Sequence, residues 1–200
     1  MLKVTDIKQQ VKRQDRYSIF IDGKYSFSLS ENELMQSGIR LNKEYTEAEL
    51  EQLKQTAVLD KAYMRSLDML SRRARSEWEL RDYLRRKDYE PDVIDQIITR
   101  LKKSQYIDDY NFAKAWVDNR RLLKATSKRK LSQELKQKRV EQSVIDGVLA
   151  EDDTDELAVI RELIVKKRTQ SRYQDDQKLI AYLLRQGFGY GDVKEAIKLG

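Results

Sequence analysis

The stretch that decides the fold is LSQELKQKRVEQSVIDGV, residues 131–148, because the chain contains its pattern three times. Residues 80–97 read LRDYLRRKDYEPDVIDQI, and residues 179–196 read LIAYLLRQGFGYGDVKEA. In each stretch an apolar or aromatic residue stands at positions 1, 5, 10, 15 and 18, and successive stretches begin 51 and 48 residues apart. Apolar spacings of three and four residues are helical, so each stretch predicts two short helices joined by a tight turn.

A longer amphipathic helix is expected before each of these pairs, at Asp60–Arg73, Asp109–Leu123 and Thr154–Arg168. Trp78 and Trp116 continue the apolar pattern and are interpreted as core residues rather than as a base-stacking site. The chain is therefore predicted to be mostly α-helical, with three tandem three-helix repeats in an elongated, curved array. The expected boundaries of these repeats are residues 60–107, 108–152 and 153–200.

Residues 1–59 have a different pattern and predict a small antiparallel β-hairpin or sheet followed by short helices. The β-prone runs Val4–Val11, Tyr17–Ile21 and Lys24–Leu29 surround Asp22-Gly23, which favours a tight hairpin turn. Capping boxes then predict helix starts at Ser30 and Thr46, the second helix running towards residue 73.

Missing residue types exclude most enzyme classes. The chain has no Cys and no His, which removes thiolate and imidazole metal ligands and every Ser/His or Cys/His nucleophile. No glycine begins a phosphate-binding loop, and Gly187–Gly191 is better interpreted as a turn between helices. The pairs Asp108-Asp109, Asp152-Asp153 and Asp175-Asp176 remain candidates for a nuclease site, but each is expected to cap a helix start. We therefore expect a non-enzymatic protein without a cofactor.

The sequence also suggests where the protein works. No apolar run reaches the length of a membrane span, and residues 1–6 lack the features of a signal peptide. Without cysteine there is no need for an oxidising compartment. We expect a cytoplasmic protein with no membrane partner.

Positive charge is concentrated in three windows, although the net charge of the chain is only +6. Residues 72–87, 120–139 and 161–172 carry net charges of +4, +8 and +4, each where the first helix of a repeat leads into the second. Equivalent positions of a repeat array share a face, so the windows predict a basic face that binds a polyanion. A merely solvated surface is the alternative, but it does not explain why the charges recur in register.

The candidate binding residues are lysines and arginines of these windows. They are Arg72, Arg73, Arg75, Arg120, Arg121, Lys128, Arg129, Lys130, Lys166, Lys167, Arg168 and Arg172.

The residues that define the repeat also resemble the RecX family. LSRRARSEWEL at 70–80 is similar to the family's R-x-x-S-x-x-E-L signature, and DDYNFA at 108–113, with Arg120 after it, is similar to D-x-x-F-A…R. Gln177-Lys178 and YLLRQGF at 182–188 match the third repeat of the family. Lys138-Arg139 departs from the usual Lys-Gly, so the turn there is expected to be built differently. The similarity covers roughly residues 60–198, and some longer members continue past the position of Gly200, which suggests a shortened chain.

The resemblance implies a regulator, mainly an inhibitor, of the RecA recombinase. RecX-like proteins lie in the groove of the RecA–DNA filament and limit ATPase activity, strand exchange and repressor cleavage in the SOS response. For this chain it implies a role in homologous recombination and DNA repair. The implied partners are the RecA nucleoprotein filament and single- or double-stranded DNA, the latter bound weakly and without sequence preference. We expect a monomer.

Two alternatives stay open at this point. One is a general, sequence-independent DNA- or RNA-binding helical protein, whose affinity should fall steeply with salt. The other is a helical adaptor for a different acidic protein. No helix presents Arg, Asn and Gln in the pattern expected for base edges, so sequence-specific DNA binding is not predicted.

Overall fold

The computed structural model describes residues 1–198, so Leu199 and Gly200 of the expected third repeat lie outside the described residues. The N-terminal part contains strands β1 (Leu2–Gln9), β2 (Arg16–Ile21) and β3 (Lys24–Ser30), helix α1 (Glu31–Ser37) and strand β4 (Glu44–Tyr45). The helices that follow are α2 (Glu47–Arg72), α3 (Glu77–Arg85), α4 (Pro91–Lys103), α5 (Asp109–Leu123), α6 (Lys128–Gln137), α7 (Gln142–Glu151), α8 (Glu156–Arg168), α9 (Asp176–Arg185) and α10 (Tyr190–Lys198). A short 3-10 helix (Ser171–Tyr173) lies between α8 and α9.

The chain forms two compact units. The first contains Met1–Ala74 and Leu80–Tyr106, and the second contains Arg75–Glu79 and the chain from Ile107 onwards. In the part of the chain that the structure describes, no helix combines the length and the apolar character that crossing a membrane requires.

The N-terminal strands form an antiparallel sheet in the order β3-β2-β1-β4. The predicted hairpin is confirmed, since Asp22 and Gly23 both have positive φ (46° and 77°), as a tight turn between twisted strands requires. Strand β4 was not predicted, because its two residues are too short to show an alternating pattern.

A buried polar network joins the sheet to α2. Asp60 lies on α2, and its carboxylate accepts hydrogen bonds from Arg16 Nη1 at 3.1 Å, from Ser30 N at 2.8 Å and from Ser30 Oγ at 2.6 Å. Arg16 Nη2 also donates to the carbonyl oxygen of Ser28 at 2.9 Å. Both charged side chains are almost fully buried, and each is hydrogen-bonded within this network, as buried polar groups generally are. Helix α2 is continuous through Asp60, so one helix contacts the sheet and supplies the first helix of the first repeat.

The three-helix repeats have the predicted core. The leucines at positions 1 and 5 of the repeated stretch are fully buried in all three copies, and the residues at positions 15 and 18 are buried as well. Position 10 is buried in the second and third copies, while Tyr89 of the first copy is half-buried. The predicted caps at Thr46, Ser76 and Ser127 accept hydrogen bonds from the third residue of their helices.

Three details of the sequence reading are wrong. Trp78 is 37% exposed, because it lies on the outer side of α3 rather than in the core. Asp152 follows the end of α7, and Asp155 caps α8 instead. The turn at Arg139 is built like its equivalents, since Asp88, Arg139 and Gly187 all have left-handed backbone with φ of 58°, 56° and 92°.

Candidate functional site

The first turns of α3 and α6 make equivalent contacts, both within the second unit. The hydroxyl of Ser76, before α3, donates to the carbonyl oxygen of Lys138 at 2.8 Å. Ser127 holds the equivalent position before α6, and its hydroxyl donates to the carbonyl oxygen of Gln186, also at 2.8 Å. Each serine is fully buried, and each caps its helix while it contacts the following repeat.

Two further contacts recur at the same positions. The amide of Glu77 donates to Asp109 Oδ1 at 2.7 Å, and the amide of Lys128 donates to Glu156 in the same way. Glu79 lies two residues after Glu77 on α3, and its carboxylate forms an ion pair with Lys138 Nζ at 2.8 Å. The matching residue of the next repeat, Lys130, donates through Nζ to Gln186 Oε1 at 2.7 Å. The second unit therefore uses one set of contacts twice.

A groove of about 600 Å³ lies beside the second of these contacts, within the second unit. The end of α5 and the loop before α6 form one side, and residues of α8 and α9 form the other. Its basic lining consists of Arg121, Lys124, Lys130, Lys166 and Lys167. Two acidic residues, Glu134 and Glu162, also line it. The volume lies within the usual range of ligand clefts.

The lysines of the groove differ in how far they are engaged. Lys124 and Lys166 are exposed, and neither forms an ion pair with any residue that the structure describes. Lys167 Nζ lies 4.8 Å from the ring centroid of Tyr182 and 5.5 Å from that of Tyr173, so its ammonium group is held over two aromatic faces. These three charges are available to an anionic partner.

The arginines beside the groove are engaged in structural contacts. Arg121 Nε donates to Asp152 Oδ2 at 3.1 Å, and Arg120 Nε donates to Glu134 Oε2 at 2.7 Å. Trp116 Nε1 also donates to Glu134 Oε2 at 2.8 Å, while the Arg120 guanidinium lies over the Trp116 ring. These contacts hold the end of α5 against α6 and the start of the third repeat.

The two carboxylates in these contacts have pKa values below their ordinary values. Burial by itself raises the pKa of Asp152, but the hydrogen bonds from Arg121 and Thr154 outweigh it and lower the pKa below its ordinary value. Burial likewise opposes ionisation of Glu134, whose pKa is nevertheless lowered by the hydrogen bonds from Arg120 and Trp116. Both carboxylates therefore neutralise the arginines beside them.

The structure brings together only some of the candidate residues. Arg121, Lys130, Lys166 and Lys167 line one groove, and Lys124 was missed as a candidate although it lies inside the second basic window. Arg129 is exposed on α6 without an ion pair among the described residues.

The other candidates lie elsewhere or are engaged. Lys128 Nζ donates to the carbonyl oxygen of Asp152, and Arg168 binds Asp176 together with the carbonyl oxygens of Tyr173 and Gln174. The Arg172 guanidinium lies 5.7 Å from the Tyr173 ring centroid. In the first window Arg72 pairs with Asp68 and Arg73 donates to the carbonyl oxygen of Ala74, while Arg75 is half-buried.

The candidate carboxylate pairs hold other roles as well. Asp108 accepts from the amides of Tyr110 and Asn111 and caps α5, and Asp175 accepts from Lys178 N and caps α9. Asp152 binds Arg121. Among residues 1–198 no group of three or more acidic side chains is placed to hold a metal ion.

Comparison with known proteins matches almost the whole chain. The model of the regulatory protein RecX N-terminal domain matches residues 2–46. The models of the first, second and third three-helix domains of RecX match residues 62–101, 108–149 and 153–197. The chain belongs to the RecX family.

Curated RecX proteins are similar over nearly the full length of the chain. The regulatory protein RecX of Listeria monocytogenes serovar 1/2a is 35% identical over 194 residues, which cover 94% of this chain and 71% of the relative. That of Bacillus subtilis strain 168 is 30% identical over 199 residues, covering 97% and 75%.

Solved RecX structures share the fold. A crystal structure of regulatory protein RecX superposes with a TM-score of 0.74 at 28% identity, covering 98% of this chain and 100% of the other. The crystal structure of RecX from Lactobacillus salivarius gives a TM-score of 0.63 at 24% identity and covers 70% of this chain and 94% of the other. The tandem three-helix repeats are therefore the RecX fold.

Proposed function

We propose that the chain regulates, mainly by inhibition, a RecA recombinase in the cytoplasm, by binding in the groove of the RecA–DNA filament through its basic face. Bound there, it modulates ATPase activity, strand exchange and SOS repressor cleavage. The observation that carries this proposal is the match to RecX proteins over all four domains of the chain.

The basic groove of the second unit supports the proposal. Lys124, Lys166 and Lys167 place three available ammonium groups along one groove. Ammonium groups attract anions as point charges, so they suit acidic recombinase surface and DNA phosphates alike, and phosphate contacts carry no sequence information. A regulator that acts anywhere on a chromosome needs this kind of contact.

Sequence-independent binding of free DNA or RNA is the second candidate function. It is favoured by the same three lysines, because a groove lined by unpaired cations attracts any polyanion. The two functions differ in whether the recombinase is needed.

The test measures RecA ATPase on single-stranded DNA with the unaltered chain and with Lys124→Glu/Lys166→Glu. The matched control is Lys24→Glu/Lys103→Glu, which reverses two exposed lysines of the first unit. Reversing Lys128, Arg129 and Lys130 together is a poorer choice, because Lys128 Nζ donates to the carbonyl oxygen of Asp152 and Lys130 Nζ donates to Gln186 of the third repeat.

We expect the unaltered chain and the control to lower the ATPase rate, and the groove variant to lower it at least about tenfold less effectively, a loss of about 1.4 kcal/mol in binding. An ATPase rate that none of the three proteins changes contradicts the proposal. Tight binding of all-thymidine oligonucleotide in the same samples would then favour general nucleic-acid binding.

A further inference from the structure

Two large apolar side chains stand exposed at the rim of the basic groove. Leu122 and Leu123 form the end of α5, line the groove, and are 83% and 68% exposed. They follow Arg121 and precede Lys124, so apolar and basic side chains share one edge of the groove. Exposure of two adjacent leucines to water is unfavourable. Such a contiguous apolar surface indicates a binding site for a partner, whereas single scattered apolar residues do not.

The repeat architecture does not require these leucines. Fifty-one residues earlier, the equivalent positions of the first repeat hold Ser71 and Arg72, which are both exposed and polar. The core of the second repeat is formed by other residues of α5, among them Phe112, Ala113 and Val117. The apolar pair is therefore a local property of this groove.

Apolar side chains also line the groove. They are Ala125, Val159, Leu163 and Tyr182. Interfaces with DNA are strongly polar and positively charged, whereas the centres of protein interfaces are apolar with a polar rim. The combination of apolar lining residues, two exposed leucines and surrounding lysines corresponds to the second kind.

From this arrangement we infer that the groove binds a segment of a partner protein that is acidic and carries one or two large apolar side chains. The carboxylates of the segment pair with Lys124, Lys166 and Lys167, and its apolar side chains cover Leu122 and Leu123. Burial of each leucine contributes more than the exposed ion pairs do, because solvent screens an exposed pair and holding two long side chains in one geometry costs entropy. The inference rests on the proposed function in one respect, because a regulator of a nucleoprotein filament needs a surface for the protein as well as for the DNA.

The test compares three fluorescein-labelled probes by fluorescence anisotropy with the full chain. The first is a short peptide of glutamates interrupted by two leucines, the second has serines in place of these leucines, and the third is oligothymidine. The variant is Leu122→Ser/Leu123→Ser. The matched control is Val11→Ser/Leu41→Ser, which removes two exposed apolar side chains of the first unit.

We expect the leucine peptide to bind more tightly than the serine peptide. Leu122→Ser/Leu123→Ser should weaken the affinity for the leucine peptide about tenfold and leave the affinity for oligothymidine unchanged. The control variant should leave both affinities unchanged. Equal binding of the two peptides, or a loss of oligothymidine binding as large as that of the leucine peptide, overturns the inference. Because both leucines are exposed, the variant should keep the thermal unfolding temperature of the unaltered chain, which is measured alongside.

The ATPase assay separates this inference from the proposed function. If the chain leaves RecA ATPase unchanged but the leucine peptide binds through Leu122 and Leu123, the proposed function is wrong and the groove serves another acidic protein. If Leu122→Ser/Leu123→Ser inhibits as well as the unaltered chain and the leucine peptide does not bind, the inference is overturned and the proposed function remains.

Discussion

Arg139 and Gly187 occupy the same turn position in successive repeats, and both have left-handed backbone. A residue with a side chain pays about 1–2 kcal/mol for this conformation, whereas glycine does not. We expect Arg139→Gly to raise the free energy of unfolding by about 1 kcal/mol in urea denaturation. The control Lys136→Gly, in the last turn of α6, should lower it by about 1 kcal/mol. A loss of stability in both variants would contradict the conclusion that the left-handed backbone at Arg139 is strained.

Gly187 has a second constraint besides its backbone conformation. A Cβ atom at Gly187 would lie 2.5 Å from Ser127 Oγ, which is buried and engaged with both Lys130 N and the carbonyl oxygen of Gln186. We expect Gly187→Ala to cost about 1–3 kcal/mol, because the turn is strained and the serine cannot move away. Part of this cost should disappear in a Ser127→Ala background. Full additivity of the two substitutions in a double-mutant cycle would exclude the contact as its cause.

Asp60 is the residue on which attachment of the sheet depends. Removing its carboxylate leaves Arg16 buried without a counter-charge, which typically costs about 3–5 kcal/mol. The exposed pair of Arg72 with Asp68 provides the comparison, since such pairs contribute less than about 1 kcal/mol. Urea denaturation of Asp60→Ala and Asp68→Ala measures the free energy of unfolding that each substitution removes. Equal decreases in the two variants would show that the buried network does not stabilise the fold more than an exposed ion pair does.

At the scale of the helix, the stacking contact can be separated from helix capping. Ser127 caps α6 and also donates to the third repeat, whereas Asp175 caps α9 at the equivalent position and, as an ionised carboxylate, cannot donate a hydrogen bond. Loss of a cap costs about 1 kcal/mol, and loss of the buried hydrogen bond adds about 1 kcal/mol. We expect Ser127→Ala to cost about 2 kcal/mol and Asp175→Ala about 1 kcal/mol.

Hydrogen exchange provides the readout for this pair of variants. Ser127→Ala should speed exchange in both α6 and α9, because it loosens the contact between two repeats, while Asp175→Ala should act on α9 alone. Equal and local effects of the two substitutions would mean that the serine serves only as a cap.

The elements themselves were largely predictable because their signals are local. The leucines at positions 1 and 5 of each stretch repeat at helical spacing, and Asp22-Gly23 stands between two β-prone runs. The short strand β4 and the exposure of Trp78 were not predictable, because both depend on which neighbours the chain folds against.

At the scale of the whole molecule, stability should depend on pH in the acid range. The pKa values of Glu134 and Asp152 are lowered from 4.5 and 3.8 in the folded chain. A carboxyl group with a lowered pKa contributes stability above its unfolded pKa and loses it as the pH falls through the folded pKa. The free energy of unfolding should therefore be constant near neutral pH and decrease below about pH 4.5.

The pH dependence of the free energy of unfolding of Glu134→Gln tests whether Glu134 contributes to this loss of stability. This variant should be less stable than the unaltered chain at pH 7, because Arg120 loses its counter-charge, but its stability should decrease less on acidification. An unchanged slope between neutral and acid pH would show that Glu134 does not contribute to it.

The sequence by itself determined the helical class, the three-fold repeat, the hairpin and the enrichment of basic residues at the joints of the repeats. Those properties follow from spacings within one helix or turn, which a short stretch of chain encodes alone. Only the tertiary structure decided which basic residues are available for binding. Arg121 and Lys130 are engaged by partners 31 and 56 residues away, whereas Lys124 and Lys166 face the groove. The physical reason is that a charge is neutralised by whichever partner the folded chain brings within a few ångströms, and periodicity along the sequence does not encode that distance.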